Sequence, residues 1–322
     1  MQPSVVVSVL NWRDPAETVA CLDALLRLDY PNLHIVVSNN GDRDALDALM
    51  DDRHAGVEVR HNGRNLGYCG GNNIVLRLAI ERGASYVWLF NHDAEPAPGA
   101  LDRLVAVMEA DPRIGLASPV LYHDDDRNKV WNAGGYFLVN QAWSHWFADA
   151  DEAVAHEAAH PDQIKLAGTA LLIRVAMARE LGVLDERLFA YAEDADYSFR
   201  AAKLGYLRTL VRDAAVYHQH APDAVPSAHV LYYSTRNAML LWRWHAPPWA
   251  VFRYRFWSLA STLRACERYR QRPDLLEASL VGWWHGQLGV TGEWDPRRRV
   301  PGWVRSVLLS RWVARLTHAH AA

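Results

Sequence analysis

Short apolar runs alternating with segments of helical spacing constrain this 322-residue chain more than any other feature. Residues 5–10, 33–37, 57–60 and 86–90 read as strands. Residues 17–28 place Val19, Leu22, Leu25 and Leu26 at helical intervals; 45–50, 72–82 (closed by Gly83) and 101–109 read as further helices. Strands alternating with helices predict βαβ units in an α/β fold, with a mostly parallel sheet covered on both faces. Such sheets bind ligands at the carboxyl ends of their strands. The polar stretches there are Asn11-Trp12-Arg13, Ser38-Asn39-Asn40-Gly41 and Asn91-His92-Asp93.

Bulk properties exclude some classes. With net charge −3 and 22% charged residues, no overall field favours nucleic acid as a partner. Cys21, Cys69 and Cys266 are scattered and unpaired in sequence, which predicts buried thiols in a reducing cytosol. The first ten residues lack a basic start and a small-residue cleavage site, so they read as a strand and not a signal peptide. No apolar run reaches the roughly 18 residues of a membrane span. Past the first hundred residues the pattern loosens: 148–160 reads as an acidic loop, 166–173 as a strand, and 195–204 as a helix closed by Gly205. Nine of the fourteen tryptophans lie after residue 240, dividing the chain into 1–228 and a helical region over 229–322.

Four constellations can carry chemistry. Asp93, at a strand end, could hold a cation bridging two phosphates, or simply sit in a turn. Residues 62–73, with Gly63, Gly67, Gly70, Gly71 and several asparagines, form a Gly-rich opening to a helix whose N-terminus attracts anions. Glu193-Asp194-Ala195-Asp196 crowds three carboxylates among Phe189, Tyr191, Tyr197 and Phe199. Helix capping explains one or two of them; a base with a pKa raised by burial and like charge explains the crowding. His218 and His220 follow a strand and could meet metal or phosphate.

Together these pieces resemble the family 2 glycosyltransferases of GT-A fold, particularly the bacterial rhamnosyltransferase-like branch. The resemblance is carried by Val9-Leu10-Asn11-Trp12, by Asn65-Leu66-Gly67-Tyr68 with Gly70-Gly71-Asn72-Asn73, and by Leu89-Phe90-Asn91-His92-Asp93. Trp131-Asn132-Ala133-Gly134-Gly135, residues 168–173 and the long run 182–197 continue it. It implies an inverting, metal-dependent, non-processive transfer of a sugar, rhamnose being the first guess, from a nucleotide-diphosphate donor to a glycan or polyprenyl-linked acceptor. Asp194 would be the catalytic base. Glu193, Asp196, Trp131, Gly168 and Thr169 would bind or support the acceptor. Asn11, Ser38, Asn39, Asn65, Gly67, Gly71, Asn72, Asn91 and Asp93 would line the donor pocket. Asp93 and His218 would hold Mg2+ or Mn2+.

Two positions depart from the family pattern. Ser38 stands where an Asp usually contacts the base or ribose, which leaves the nucleotide open. Asn91 replaces the first carboxylate of the D-x-D-type motif. A non-catalytic nucleotide-sugar-binding or scaffold protein derived from such a transferase is the alternative. Arginines interleave with aromatics at 240–244 and 249–257, and again where Val304, Val307, Leu308, Trp312 and Leu316 share a stripe beside Arg305, Arg311 and Arg315. Such helices suit either the cytoplasmic surface of a membrane or a packed subdomain or homodimer interface.

Overall fold

The computed structural model describes residues 2–219 and 225–310. His220, Arg311, Trp312, Arg315 and Leu316 lie outside the described residues. The strands are β1 (Val5–Asn11), β2 (Leu33–Asn39), β3 (Glu58–His61), β4 (Tyr86–Asn91), β5 (Ala94–Pro96), β6 (Ile114–His123), β7 (Val130–Asn132), β8 (Gly135–Leu138), β9 (Trp143–Trp146), β10 (Ile164–Lys165), β11 (Ala170–Arg174) and β12 (Leu207–His218). The helices are α1 (Pro15–Leu25), α2 (Arg43–Asp47), α3 (Gly67–Arg82), α4 (Ala100–Ala110), α5 (Ala150–Ala159), α6 (Val175–Leu181), α7 (Glu193–Lys203), α8 (Ala228–His245), α9 (Pro248–Arg268), α10 (Pro273–Leu288) and α11 (Gly302–Leu308). Over the described residues the chain forms two compact units. The first is drawn from Met1–Phe137, Ser144–Glu186 and Glu193–Pro222, the second from Leu138–Trp143, Arg187–Ala192 and Asp223–Ala322.

In the first unit the main sheet runs β3-β2-β1-β4-β11-β6-β12-β5, with β7 added to β6. The parallel pairing expected from the alternation holds across β3, β2, β1 and β4. Beyond β4 the sheet is mixed, because β11 enters antiparallel to both β4 and β6. The β4 sequence Tyr-Val-Trp-Leu-Phe is buried on both faces, and Trp88 is fully enclosed. Register aligns the strand ends: Asn11 sits opposite Asn39, Leu10 opposite Asn91, and Asn39 opposite His61. A second sheet, β10-β8-β9, pairs Lys165 with Gly135.

Three local expectations are corrected. Helix α3 begins at Gly67, so Gly67, Gly70 and Gly71 lie inside it and not in a loop before it. The reason is close approach: a Cβ on Gly71 would meet Leu10 Cδ1 at 2.3 Å, and one on Gly70 would meet Leu66 Cβ at 2.9 Å. Residues 150–159 form α5, not a loop, because the Asp149 side chain accepts the Glu152 N–H at 2.9 Å and caps it. The strand placed at 166–173 begins only at Ala170, preceded by the two-residue β10.

In the second unit, α8 and α10 approach closely where glycine permits it; a Cβ on Gly282 would lie 2.7 Å from the Tyr232 carbonyl oxygen. Tyr232 stacks on Trp294 at 4.6 Å in the core of this unit. Arg236 and Asn237 are also fully buried. They donate to the carbonyls of the segment preceding Glu193 in sequence: Arg236 to Leu188 O (2.7 Å), and Asn237 to Leu188 O (3.0 Å), Ala190 O and Tyr191 O (both 2.7 Å). That clamp offsets unfavourable backbone, since Phe189, Tyr191 and Ala192 have φ of 68°, 68° and 67°. All three cysteines are free and buried. No helix among the described residues is long and apolar enough to cross a membrane.

Candidate active site

Because β1 and β2 end in register, their terminal asparagines build one hydrogen-bonded edge, with Asn91 at the end of the adjacent β4. Asn11 donates to Asn39 Oδ1 at 2.7 Å and accepts from Thr18 Oγ1 at 2.8 Å. Asn40 donates to Asn65 Oδ1 (3.2 Å) and to the Gly67 carbonyl (2.9 Å), while Asn65 accepts the Gly67 N–H at 2.9 Å. The edge therefore includes the start of α3. Ser38, Gly71 and Asn72 lie behind it, in the interior. Ser38 Oγ donates to the Gly71 carbonyl (2.8 Å), and Ser8 Oγ donates to Asn72 Oδ1 (2.8 Å). These polar atoms serve strand–helix packing, in a place where an unpaired buried group would cost about 1–3 kcal/mol.

Asp93 follows β4 and meets the last residue of β12. His218 Nε2 lies 3.2 Å from Asp93 Oδ1, and Trp131 stacks on the His218 ring at 4.4 Å. Trp131 is thus tied to the Asp93 side of the site. Burial pushes the Asp93 carboxyl up, but the hydrogen bond from His218 and its charge outweigh this, leaving its pKa below the usual carboxylate range. A cavity of about 310 Å3 opens beside it, lined by Glu17, Cys21, His92, Glu95 and Tyr217 among others. No group of three or more His, Cys, Asp or Glu able to hold a metal occurs among the described residues. Asp93 and His218 nevertheless fit a cation's needs. A carboxylate oxygen and an imidazole nitrogen 3.2 Å apart are a donor set of the kind divalent cations take.

The acidic cluster opens α7. Asp194 is partly buried, and its two oxygens accept the backbone N–H groups of Ala195 (Oδ1, 2.7 Å) and Gly168 (Oδ2, 3.0 Å). Burial raises its pKa, while these two N–H groups and the Lys165 ammonium oppose the rise. Gly168 packs closely on this carboxylate: a Cβ would stand 3.3 Å from Asp194 Cβ and 3.5 Å from Tyr68 Oη. The Tyr68 hydroxyl donates to the Gly168 carbonyl at 2.8 Å, and the phenol lies in the field of Glu193, Asp194 and Asp93. Thr169 offers its carbonyl to the Asn91 N–H at 2.9 Å. Residues 168–169 therefore link the β4 end to the carboxylate cluster. Asp196 is 2% exposed and paired with Arg200 one turn on, at 2.7 Å; Arg200 also donates to the Val183 carbonyl at 2.9 Å. Glu193 is buried at the helix start.

Two groups in this neighbourhood escaped the sequence reading. Tyr68 falls in the Asn65-Leu66-Gly67-Tyr68 stretch, where the resemblance implies no role for it. Lys165 carried one legible signal, a charge inside the apolar run Ile164-Lys165-Leu166-Ala167.

A strand-end asparagine edge, an Asp–His pair and a carboxylate at a helix start now stand on one α/β sheet. Glycosyl transferase family 2 matches residues 4–178, more than half of the chain. The chain belongs to glycosyl transferase family 2. Among curated relatives, it is 26% identical over 238 residues to the N-acetylglucosaminyl-diphospho-decaprenol L-rhamnosyltransferase of Mycobacterium tuberculosis, covering 67% of this chain and 76% of that one. It is 22% identical over 285 residues to the dTDP-rhamnosyl transferase RfbF of Shigella flexneri, covering 84% and 92%. In fold it is similar to the mannosyltransferase PcManGT of Pyrobaculum calidifontis, solved in complex with GDP-Man and Mn2+ (TM-score 0.58, 15% identity, 90% of this chain and 88% of that one). The transferase thus has the GT-A-like architecture that the motif resemblance implies.

Proposed function

We propose that this glycosyltransferase moves one sugar per encounter, with inversion, from a nucleoside-diphosphate sugar to a hydroxyl of a lipid-linked or polysaccharide acceptor. Rhamnose from dTDP-rhamnose is the first donor to try, given what the relatives are named for. The observation that carries the reading is Asp194, whose two oxygens are steered by the N–H groups of Ala195 and Gly168. As the acceptor oxygen attacks the anomeric carbon, its proton passes to Asp194 and the bond to the diphosphate breaks. One displacement inverts the centre. Asp93 and His218 would hold a divalent cation, which would supply Lewis-acid stabilisation to the departing diphosphate. Asn11, Asn39, Asn65, Gly67 and Asn91 sit at the strand-end edge where the nucleotide would lie. Glu193, Thr169 and Gly168 flank the base on the acceptor side.

The test is transfer from dTDP-rhamnose to an N-acetylglucosaminyl-diphospho-lipid acceptor, with the new linkage read by NMR. A β-linked donor should give an α-linked product; retention would remove the single displacement. A thermal-shift comparison of dTDP, UDP and GDP identifies the base, because the ligand that binds the folded state raises its apparent stability.

The lipid-linked acceptor motivates a further part of this reading, attachment at the cytoplasmic face of the membrane. Helix α9 exposes Trp249, Phe252, Phe256 and Trp257 beside Arg253 and Arg255, an apolar and cationic face suited to anionic headgroups. Co-sedimentation with vesicles containing phosphatidylglycerol should be lost in Phe252→Ser/Phe256→Ser and unchanged in a distant charge variant. Binding that survives the double change removes α9 from the account, and self-association lost in its place would assign the face to a second copy.

A further inference from the structure

Lys165 is a lysine where the fold offers almost no water. It is 2% exposed on β10, opposite Gly135 in the register. Gly135 is what admits its stem: a Cβ there would stand 2.7 Å from Lys165 Cε and 2.0 Å from the His145 carbonyl oxygen. The ammonium lies 3.5 Å from the centroid of the Trp146 ring, with the Phe137 ring at 5.4 Å. Burying an ammonium among rings costs several kcal/mol unless a counter-charge or ring face compensates, and a Met of similar length would fill the space without that cost. The anion that acts on it is the Asp194 carboxylate. Lys165 lies three residues before Gly168, whose N–H holds Asp194, and the intervening Leu166 N–H reaches Ser198 of α7 at 3.4 Å. The same short segment therefore delivers both the N–H and the cation to the start of α7.

We propose that Lys165 is a positioning residue for the transfer reaction, a buried cation clamped under Trp146 that holds Asp194 ionised and ready to take the acceptor's proton. This deepens the assignment of Asp194 as base and rests on it. Burial pushes Asp194 the opposite way, while the N–H groups of Ala195 and Gly168 act with Lys165. Tyr68 of α3 brings no positive charge, Glu193 is its neighbour on α7, and Asp93 acts from the β4 end on the same phenol. Lys165 is the cation that opposes the burial of Asp194. Burial brings its own pKa down to about 7 against the pull of Asp194. Its charge is present below that pH and is given up above it, so its hold on Asp194 acts over the acidic side of the activity profile.

The experiment compares the pH dependence of kcat/KM for the parent, Lys165→Met and Trp146→Leu. Removing the cation leaves burial opposed only by the backbone N–H groups, so the acidic limb of Lys165→Met should move up by about one pH unit. Below the limb that is a tenfold loss, recovered at alkaline pH. Trp146→Leu, which removes the ring holding the ammonium, should shift the limb the same way by less, and it stands in should Lys165→Met fail to fold. Limbs that superimpose on the parent's in both variants overturn the proposal. A second readout separates this failure from failure of Asp194 as base. Urea unfolding of Lys165→Met, Asp194→Asn and the double variant at pH 6 should be non-additive. Additive effects overturn the pairing whatever the activities are; full activity in Asp194→Asn, with non-additive stabilities, removes the base and leaves the pair.

Discussion

Asp194→Asn should lower kcat by about 10²- to 10⁴-fold, the range that a positioned general base contributes, with the donor KM nearly unchanged. Asparagine keeps the shape and one acceptor for the Ala195 and Gly168 N–H groups but cannot take the acceptor's proton. Because the loss falls on the chemical step, kcat and kcat/KM should drop together. A second signature comes from linkage. Asp194 has its pKa raised by burial in the folded chain, so the stability tied to its neutral form is complete below the unfolded value. It is lost as pH rises through the folded one. Asparagine is neutral throughout. The unfolding free energy of the variant should therefore decline less than the parent's between about pH 4 and neutrality. Steady-state transfer and urea titration at both pH values measure the two effects; an active Asp194→Asn would move the base elsewhere.

Asp93→Ala should be comparably damaging for a different reason. The His218–Asp93 pair at 3.2 Å joins the end of β4 to the end of β12, and a cation there would meet the donor's diphosphate. Losing several kcal/mol of leaving-group stabilisation corresponds to a fall in kcat/KM of about 10²- to 10⁴-fold. EDTA should do the same to the parent, and added Mn2+ should restore the parent but not the variant. Transfer that proceeds at full rate in EDTA would dismiss the metal role. Trp131, stacked on His218, supports the ring's orientation, so Trp131→Ala should weaken metal dependence less than Asp93→Ala does.

The reading from sequence succeeded where a pattern is repeated and local. Runs such as residues 5–10 and 86–90 are almost wholly apolar, so both faces are covered and the strands are central. The polar residues that end them, Asn11, Asn39 and Asn91, then had to fall at neighbouring positions. It failed where a residue's reason is a contact across the chain. Gly70 and Gly71 read in sequence as the Gly-rich opening before a helix, yet they are helix residues pressed on Leu66 and Leu10. Residues 150–159 look like an acidic loop, but a single aspartate cap starts a helix there. The antiparallel insertion of β11 between β4 and β6 has no local mark at all, since strand direction is set by the connection and not by the residues in the strand.

The same division runs through the active site. Sequence alone singled out Asp93, Asp194 and His218 as candidates, through their places at strand ends and a helix start together with the family resemblance. It also determined that three crowded carboxylates need separate tasks. Tertiary structure decided which task each received. Asp196 went to an ion pair with Arg200, Asp194 to the N–H groups of Ala195 and Gly168, and Ser38 to a buried clip on Gly71. It alone brought in Lys165, since nothing within a few residues of a lysine in an apolar run says which distant anion it will meet. Charge and desolvation act through space, so the state of a carboxylate is fixed by whatever the fold packs around it.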